Sequence, residues 1–244
     1  MKPMETNLQA PLFTGQWRRL TPAAIGAFLG ALALTLPWVR NLFVTEGFRW
    51  LYVLLFAFLG AGALTPMLIH AAHQWGLMDV PSERRVHREP TPRLGGIAVY
   101  FGFVGSVLLN SIVPEGMVGI LIASTLMLVV GVLDDVRDLS AGTKLLVQFG
   151  AAGIVIATGK VLTLFPAGPV GDAANVALTL FWIIGITNAF NFFDGMDGLA
   201  AGLAVLMAGF MSMVAFETNQ PSLGWLSIAI IGACLGFLPY NFRG

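Results

Sequence analysis

Asp134 and Asp135 stand side by side where a long apolar run ends, in Gly131-Val132-Leu133-Asp134-Asp135. Adjacent carboxylates repel, and the C-terminal end of a helix favours cations over anions. A divalent cation would settle both conflicts: Mg²⁺ takes one or two carboxylates and completes its shell with water and phosphate oxygens. The plainer alternative is a solvated helix end with incidental acids. Asp138-Leu139-Ser140-Ala141 reads as a turn into the next helix. Lys144 opens that helix against its dipole, so an anionic partner is expected. Gln148 follows one turn later on the same face.

A second polar group closes another apolar run: Asn188-Ala-Phe-Asn191-Phe-Phe-Asp194-Gly195-Met196-Asp197-Gly198. Asn188 and Asn191 are three apart and share a helix face. Asp194 and Asp197 continue that step, and Gly195 and Gly198 allow the backbone to open into a turn so that the polar groups converge. Polar groups this near a bilayer are costly and face a cavity or a partner; the alternative is a glycine-rich connector of ordinary turn formers. A third group is basic. Arg84, Arg85, Arg88 and Arg93, with His87, precede a further apolar run. Arginine forks pair with two phosphate oxygens, although anionic headgroups alone would also select such a loop. Pro90 and Pro92 stiffen it, and Gly95-Gly96 permits close backbone approach at the following helix start. His70 and His73 are three apart but lack further soft ligands nearby, so interfacial side chains are the simpler reading than a zinc site. Trp75 suits headgroup level, and the single cysteine, Cys234, lies in an apolar run.

The elements that must carry these groups follow from composition. Of 244 residues, 57% are apolar and 11% charged, against roughly 45–50% and 25% in soluble domains. Mean hydropathy is +0.81. Thirteen basic and thirteen acidic residues cancel, so no global field draws nucleic acid. One cysteine excludes an internal disulfide, and the apolar content excludes disorder. The expected fold is all-α, a polytopic transmembrane bundle of about eight spans, at 21–39, 50–69, 94–113, 117–133, 145–158, 174–189, 199–216 and 223–238. Residues 1–20, polar and containing Pro3 and Pro11, form a tail and not a signal peptide; 21–244 form the membrane domain. With the N-terminus cytoplasmic, ten of the thirteen Lys and Arg lie inside, as the positive-inside rule requires. The stretches 70–93, 134–144 and 188–198 then share the cytoplasmic face, with most of the acidic residues and all three histidines.

Two carboxylate clusters, a cationic loop and a lysine on one face of a membrane bundle suit phosphate chemistry: carboxylates hold Mg²⁺, while Mg²⁺ and Arg or Lys neutralise a diphosphate. No Ser-His-Asp set, Walker lysine loop or dinucleotide fingerprint is present. The segments GLMDVPSERRVHREPTPRLGGIAVY, GVLDDVRDLSAGTKLLVQ and NAFNFFDGMDGLAAG resemble, in order and spacing, the cytoplasmic motifs of the polyprenyl-phosphate N-acetylhexosamine-1-phosphate transferases, glycosyltransferase family 4. The resemblance runs from about Trp50 to the C-terminus. These bacterial inner-membrane enzymes start teichoic acid, lipopolysaccharide O-antigen and enterobacterial common antigen chains.

The resemblance implies transfer of a sugar 1-phosphate from a UDP-sugar to undecaprenyl phosphate with release of UMP, dependent on Mg²⁺ with Mn²⁺ as the alternative ion. It assigns catalysis to Asp134, Asp135, Asp194, Asp197 and Lys144, metal binding to Asp134, Asp135 and Asn191, and substrate binding to His87, Arg88, Asn188, Asn191 and Gln148. Implied partners are a UDP-N-acetylhexosamine, undecaprenyl phosphate, the bilayer and a second copy of the chain. Thr91-Pro92-Arg93-Leu94-Gly95-Gly96 and the compact DDVRDLSAGTK favour the UDP-N-acetylglucosamine subgroup over the muramoyl-pentapeptide enzyme of peptidoglycan synthesis, which reads TPTMGG with a longer insertion. The family pattern continues after a YNF segment into a glycine-rich aspartate motif, a histidine loop and more spans. Here Tyr240-Asn241-Phe242 precedes an end at Gly244, so the expectation is the N-terminal part of a longer enzyme, inactive if it lacks that metal ligand. An ion-coupled lipid transporter is the alternative from another class, and it requires acids at mid-span.

Overall fold

The computed structural model of the chain describes residues 22–76 and 94–242, with 78–79 and 91–92 by their backbone. The expected 1–20 tail, the arginine stretch, His87 and Arg88 lie outside these residues. In chain order the elements are α1 (Pro22–Leu34), α2 (Pro37–Thr45), α3 (Arg49–Trp75), β1 (Met78–Asp79), β2 (Thr91–Pro92), α4 (Gly95–Leu109), α5 (Met117–Arg137), α6 (Ala141–Ala157), α7 (Pro169–Phe193), α8 (Leu199–Glu217) and α9 (Pro221–Asn241). The fold is all-α. The only strands among the described residues are β1 and β2, paired antiparallel with Met78 opposite Pro92 and Asp79 opposite Thr91.

Eight spans were expected, and the structure corrects that number. Among the described residues five helices, α3, α5, α7, α8 and α9, are long and apolar enough to cross a membrane, or six spans if α1 and α2 count as one. The span expected over 21–39 is broken, with α1 and α2 meeting at 76°. Pro37 has no N–H to donate and pushes its predecessor out of the helical region; Leu36 is accordingly extended, at φ −67° and ψ 127°. The helices over 94–113 and 145–158 exist but are short. α4 has 15 residues and α6 has 17, about 23 and 26 Å at 1.5 Å per residue, against roughly 30 Å of hydrocarbon. α4 stops where Ser111 takes a left-handed φ of 53°, and α6 stops before Gly159 at φ 80°.

α9 packs most extensively on α3, through small residues. A Cβ placed on Gly232 would lie 2.4 Å from the Leu54 carbonyl oxygen, and one on Gly236 would lie 2.2 Å from that of Phe58. Gly62, Ala57, Ala61, Ala229 and Ala233 complete the seam and are buried. α4 joins the same core, where a Cβ on Gly102 would be 2.9 Å from the Ala57 carbonyl. Lipid tails are as apolar as leucine, so close packing of small residues holds such helices together where hydrophobic burial cannot.

Consecutive helices alternate in direction, giving the bundle two rims. At one rim the Arg49 guanidinium donates to the Asn110 carbonyl at 2.7 Å and stands 5.5 Å from the Trp225 ring centre, joining the start of α3, the end of α4 and the start of α9. At this rim α6 ends early, and a Cβ on Gly119 of α5 would meet Thr158 at 2.3 Å. Residues 158–168 then climb along the first turns of α7. The Leu162 N–H donates to Thr179 Oγ1 at 2.9 Å. The Leu164 and Phe165 N–H groups both donate to Asn175 Oδ1 at 2.9 Å, and Asn175 Nδ2 donates to the Phe165 carbonyl at 3.1 Å. Asn175 and Thr179 are buried, and they satisfy backbone groups that hydrocarbon could not.

Candidate active site

The opposite rim collects the polar groups. α5 continues through Asp134 and Asp135 to Arg137, and Asp138 caps it in the left-handed region at φ 45°, a conformation Asp tolerates better than most residues. The expected turn over 138–141 is present. Ser140 is the N-cap of α6, its Oγ accepting from the Thr143 N–H at 3.2 Å, the preferred way to satisfy an orphan donor there. Asp134 ties this turn together. Its Oδ1 accepts from the Leu139 N–H at 2.9 Å, and its Oδ2 lies 2.6 Å from Lys144 Nζ. The anionic partner expected for a lysine at the start of α6 is therefore Asp134, in the last turn of α5.

Lys144 and Gln148 occupy successive turns of α6, and Gln148 reaches α7. Gln148 Nε2 donates to Asn188 Oδ1 at 3.2 Å, and Asn188 Nδ2 donates back to Gln148 Oε1 at 2.8 Å and to the Ile184 carbonyl at 2.8 Å. Gln148 is buried. A continuous line of contacts thus runs from Asp134 on α5 through Lys144 and Gln148 on α6 to Asn188 on α7. The reciprocal amide pair ties one helix directly to the other, so its effect is to fix the spacing of α6 and α7. Replacing the buried Gln148 with leucine removes both bonds of the pair and leaves the exposed Asn188 amide to water across a loosened α6–α7 contact. The expected loss is about 1–3 kcal/mol of stability, read as a lowered unfolding midpoint in detergent.

Asn191 lies one turn beyond Asn188 on α7, exposed, and its amide has no hydrogen-bond partner among the described residues. Asp194 is the C-cap of α7, its N–H donating to the Phe190 carbonyl. Part of its surface is open, but protein mass crowds the carboxyl, and the loss of hydration raises it above the ordinary aspartate range. The backbone turns at 194–198, with Gly198 at φ 71° as N-cap of α8, so the glycine-rich segment does open as expected. Asp197 sits in this turn and, like Asp135, is engaged in an interaction.

Among the described residues, no group of three or more His, Cys, Asp or Glu side chains is placed to enclose a metal ion. A Mg²⁺ held by one or two carboxylates and completed by water and substrate phosphate needs no such cage. The donors at this rim, hard oxygens of Asp134, Asp135, Asn191 and Asp194, are of the type that mode of binding uses.

One participant was not legible as a site residue. Asn241, at the end of α9, accepts from the Gly198 N–H through Oδ1 at 2.9 Å. Its only sequence signal was the Tyr240-Asn241-Phe242 segment, which carried family likeness but no stated task. At the same rim, a Cβ on Gly95 would meet the Phe237 ring at 2.6 Å. This is the close approach foreseen for the Gly95-Gly96 pair, made at Gly95, while Gly96 faces open space.

The family model described as glycosyl transferase family 4 matches residues 117–244, from the start of α5 through the end of α9. The "Probable undecaprenyl-phosphate N-acetylglucosaminyl 1-phosphate transferase" of Bacillus subtilis (strain 168) is 38% identical over 186 residues, covering 74% of this chain and 52% of the relative. The "Decaprenyl-phosphate N-acetylglucosaminephosphotransferase" of Mycobacterium tuberculosis (strain ATCC 25618 / H37Rv) is 37% identical over 196 residues, 70% of this chain and 48% of the relative. The "Undecaprenyl-phosphate alpha-N-acetylglucosaminyl 1-phosphate transferase" of Escherichia coli (strain K12) is 31% identical over 178 residues, 70% of this chain and 48% of the relative. The chain spans about half the length of the curated relatives it matches. No solved structure matches it at a significant level. With its matched segment carrying Asp134, Lys144, Gln148, Asn188, Asn191, Asp194 and Asn241, the chain belongs to glycosyl transferase family 4.

Proposed function

We propose that this chain transfers N-acetylhexosamine 1-phosphate, GlcNAc 1-phosphate in particular, from a UDP-sugar to undecaprenyl phosphate at the cytoplasmic face of a bacterial plasma membrane. The product opens synthesis of a cell-envelope polysaccharide. The observation that carries the reading is the gathering of Asp134, Lys144, Asn191 and Asp194 at one end of an apolar bundle, on helices locked in place by the Gln148–Asn188 pair. The names of the relatives, which pair a polyprenyl phosphate with N-acetylglucosaminyl phosphate transfer, support the acceptor and the GlcNAc 1-phosphate of this reading. The positive-inside rule supports the cytoplasmic face, because ten of the thirteen Lys and Arg of the sequence, Arg137 and Lys144 among them, fall on this side and Arg40, Arg49 and Lys160 on the other. Residues 21–244 act as one membrane unit in this reading, with 1–20 as its cytoplasmic tail.

The lipid phosphate is already an anion, so the chemical problem is charge repulsion more than activation. A lipid phosphate oxygen forms a bond to the sugar-bearing phosphorus of the UDP-sugar. The bond from that phosphorus to the bridging oxygen breaks, and UMP leaves with the electron pair. Lys144 supplies positive charge beside the phosphates, and Asp134 holds its ammonium in place from the preceding turn. The Asn191 amide is open to a ligand and orients the diphosphate or sugar. His87 and Arg88 add to phosphate binding from the loop before α4. Asp134, Asp135 and the Asn191 carbonyl are the groups that would hold Mg²⁺, which when bound neutralises phosphate charge and polarises the P–O bonds. The carrier alternative needs acids at mid-span; here Asp134 and Asp135 sit in the last turn of α5, and Asp194 follows the end of α7.

Membranes containing the chain, supplied with undecaprenyl phosphate and labelled UDP-GlcNAc, are expected to release UMP and to accumulate labelled lipid in a divalent-cation-dependent way. UDP-muramoyl-pentapeptide serves as the competing donor, and preferential turnover of that donor would overturn the GlcNAc assignment. Failure of the chain to turn over either donor would remove the enzyme reading.

A further inference from the structure

The turn at 194–198 carries two of the candidate catalytic carboxylates, yet the helices it joins do little to hold it. α7 and α8 touch sparsely compared with α8 and α9 or α3 and α9. What contacts the turn instead is the end of α9. Asn241 Oδ1 accepts the Gly198 N–H at 2.9 Å across 43 positions of sequence. A backbone N–H requires an acceptor, so the orientation of this amide is set by its partner. The Phe242 ring lies against the same glycine, and a Cβ on Gly198 would come within 2.2 Å of it. Gly198 is buried and left-handed, with φ 71°; any side chain there would be both strained and in collision with the ring. The support behind this contact is rigid. Tyr240 Oη donates to the Gly62 carbonyl at 3.2 Å, and Gly236 brings α9 against the α3 backbone.

We propose that Asn241, backed by Phe242, is a positioning residue. Its side-chain acceptor clamps the Gly198 N–H to the α3–α9 core and thereby fixes the turn that carries Asp194 and Asp197. The proposal rests on the reading of those carboxylates as part of the active site. Without the clamp, a turn between two sparsely packed helices samples several orientations, and positioned groups lose effectiveness when displaced by about an ångström. Asn241 acts through the turn and has no required contact with substrate.

The test compares Asn241→Ala and Asn241→Asp with wild type, using the full chain in lipid nanodiscs. Hydrogen exchange is followed in the peptide covering 194–199, with a peptide from the middle of α3 as the control for the fold. Alanine is expected to speed exchange of the turn about tenfold, the size set by losing one hydrogen bond to a buried donor, while the α3 peptide stays protected. Aspartate retains an acceptor oxygen in the same place and is expected to restore protection. UMP release should follow the same order, with kcat falling for alanine while KM for UDP-GlcNAc stays within about twofold. Unchanged exchange in Asn241→Ala overturns the clamp, as does an aspartate variant as unprotected as alanine. Should Asn241→Ala fail to fold, Phe242→Ala, which loosens the same turn from an exposed side chain, is expected to raise exchange in 194–199 alone, and no rise overturns the proposal. A wild-type chain that releases no UMP removes the enzymatic reading but leaves the exchange result to decide the clamp.

Discussion

Replacing Asp134 with asparagine is expected to lower UMP release by roughly 10²- to 10³-fold, the usual scale for removing one preorganised charged or polar group from a site that handles developing charge. The substitution is nearly isosteric. The Leu139 N–H keeps an acceptor, so the turn from α5 to α6 survives. What disappears is the negative charge 2.6 Å from Lys144 Nζ. The ammonium then loses the group that holds it in one place, and the site loses an anion for a cation to bind. The pair is about a third exposed, so its direct contribution to stability is small, under about 1 kcal/mol. The unfolding midpoint should therefore stay near wild type while activity collapses. The measurement is UMP release from membranes at matched expression, beside a thermal melt of the same sample. Turnover within several-fold of wild type would remove Asp134 from the machinery. Asp194→Asn is expected to be similarly severe, because it removes a negative charge from the same rim at a carboxyl that partial burial raises above the ordinary aspartate range.

The second large effect concerns folding. Gly236→Val is expected to abolish accumulation of folded protein, because its Cβ would stand 2.2 Å from the Phe58 carbonyl oxygen and 3.0 Å from the Gly62 nitrogen. Both obstacles are backbone, so no side-chain rotation relieves the contact, and the two helices must separate. Ordinary overpacking in a core costs about 1–3 kcal/mol. Here separation also opens the Tyr240 contact with Gly62 and the Ala57–Ala61–Ala233 cluster, so the loss exceeds that range. Fluorescence-detected size exclusion should show the variant as aggregate. A monodisperse Gly236→Val protein with the wild-type melting temperature would show that α3 and α9 do not meet along this seam. Gly202, which has open space around it, is the control: Gly202→Ala is expected to be silent.

Much of the rim could be read from sequence because its logic is local. Asp134, Asp135 and Lys144 announce themselves by violating the helix dipole within ten positions of one another, and Gly195 and Gly198 mark a turn wherever the surrounding helices go. The Gln148–Asn188 pair was less legible. Each residue looked like a ligand donor on its own helix, and only the approach of α6 to α7 shows that the two satisfy each other. Asn241 was hidden for the same reason, since its partner is a backbone N–H 43 positions away. The eight apolar runs were visible, but a hydropathy window measures composition and not continuity. It passed over the extended Leu36 ahead of Pro37, it credited α4 with a length that Ser111 cuts short, and it counted 145–158 as a span although α6, even starting earlier at Ala141, has only 17 residues. The seam between α3 and α9 had a readable mark in Gly232 and Gly236, four apart, which hydropathy alone does not weigh.

The early end of α6 leaves the bundle with a wall of uneven height. Lipids beside α6 face about 26 Å of helix, and those beside α7 about 38 Å, so the leaflet along that flank must thin or tilt to follow the protein, at a cost of a fraction of a kcal/mol per ångström of mismatch.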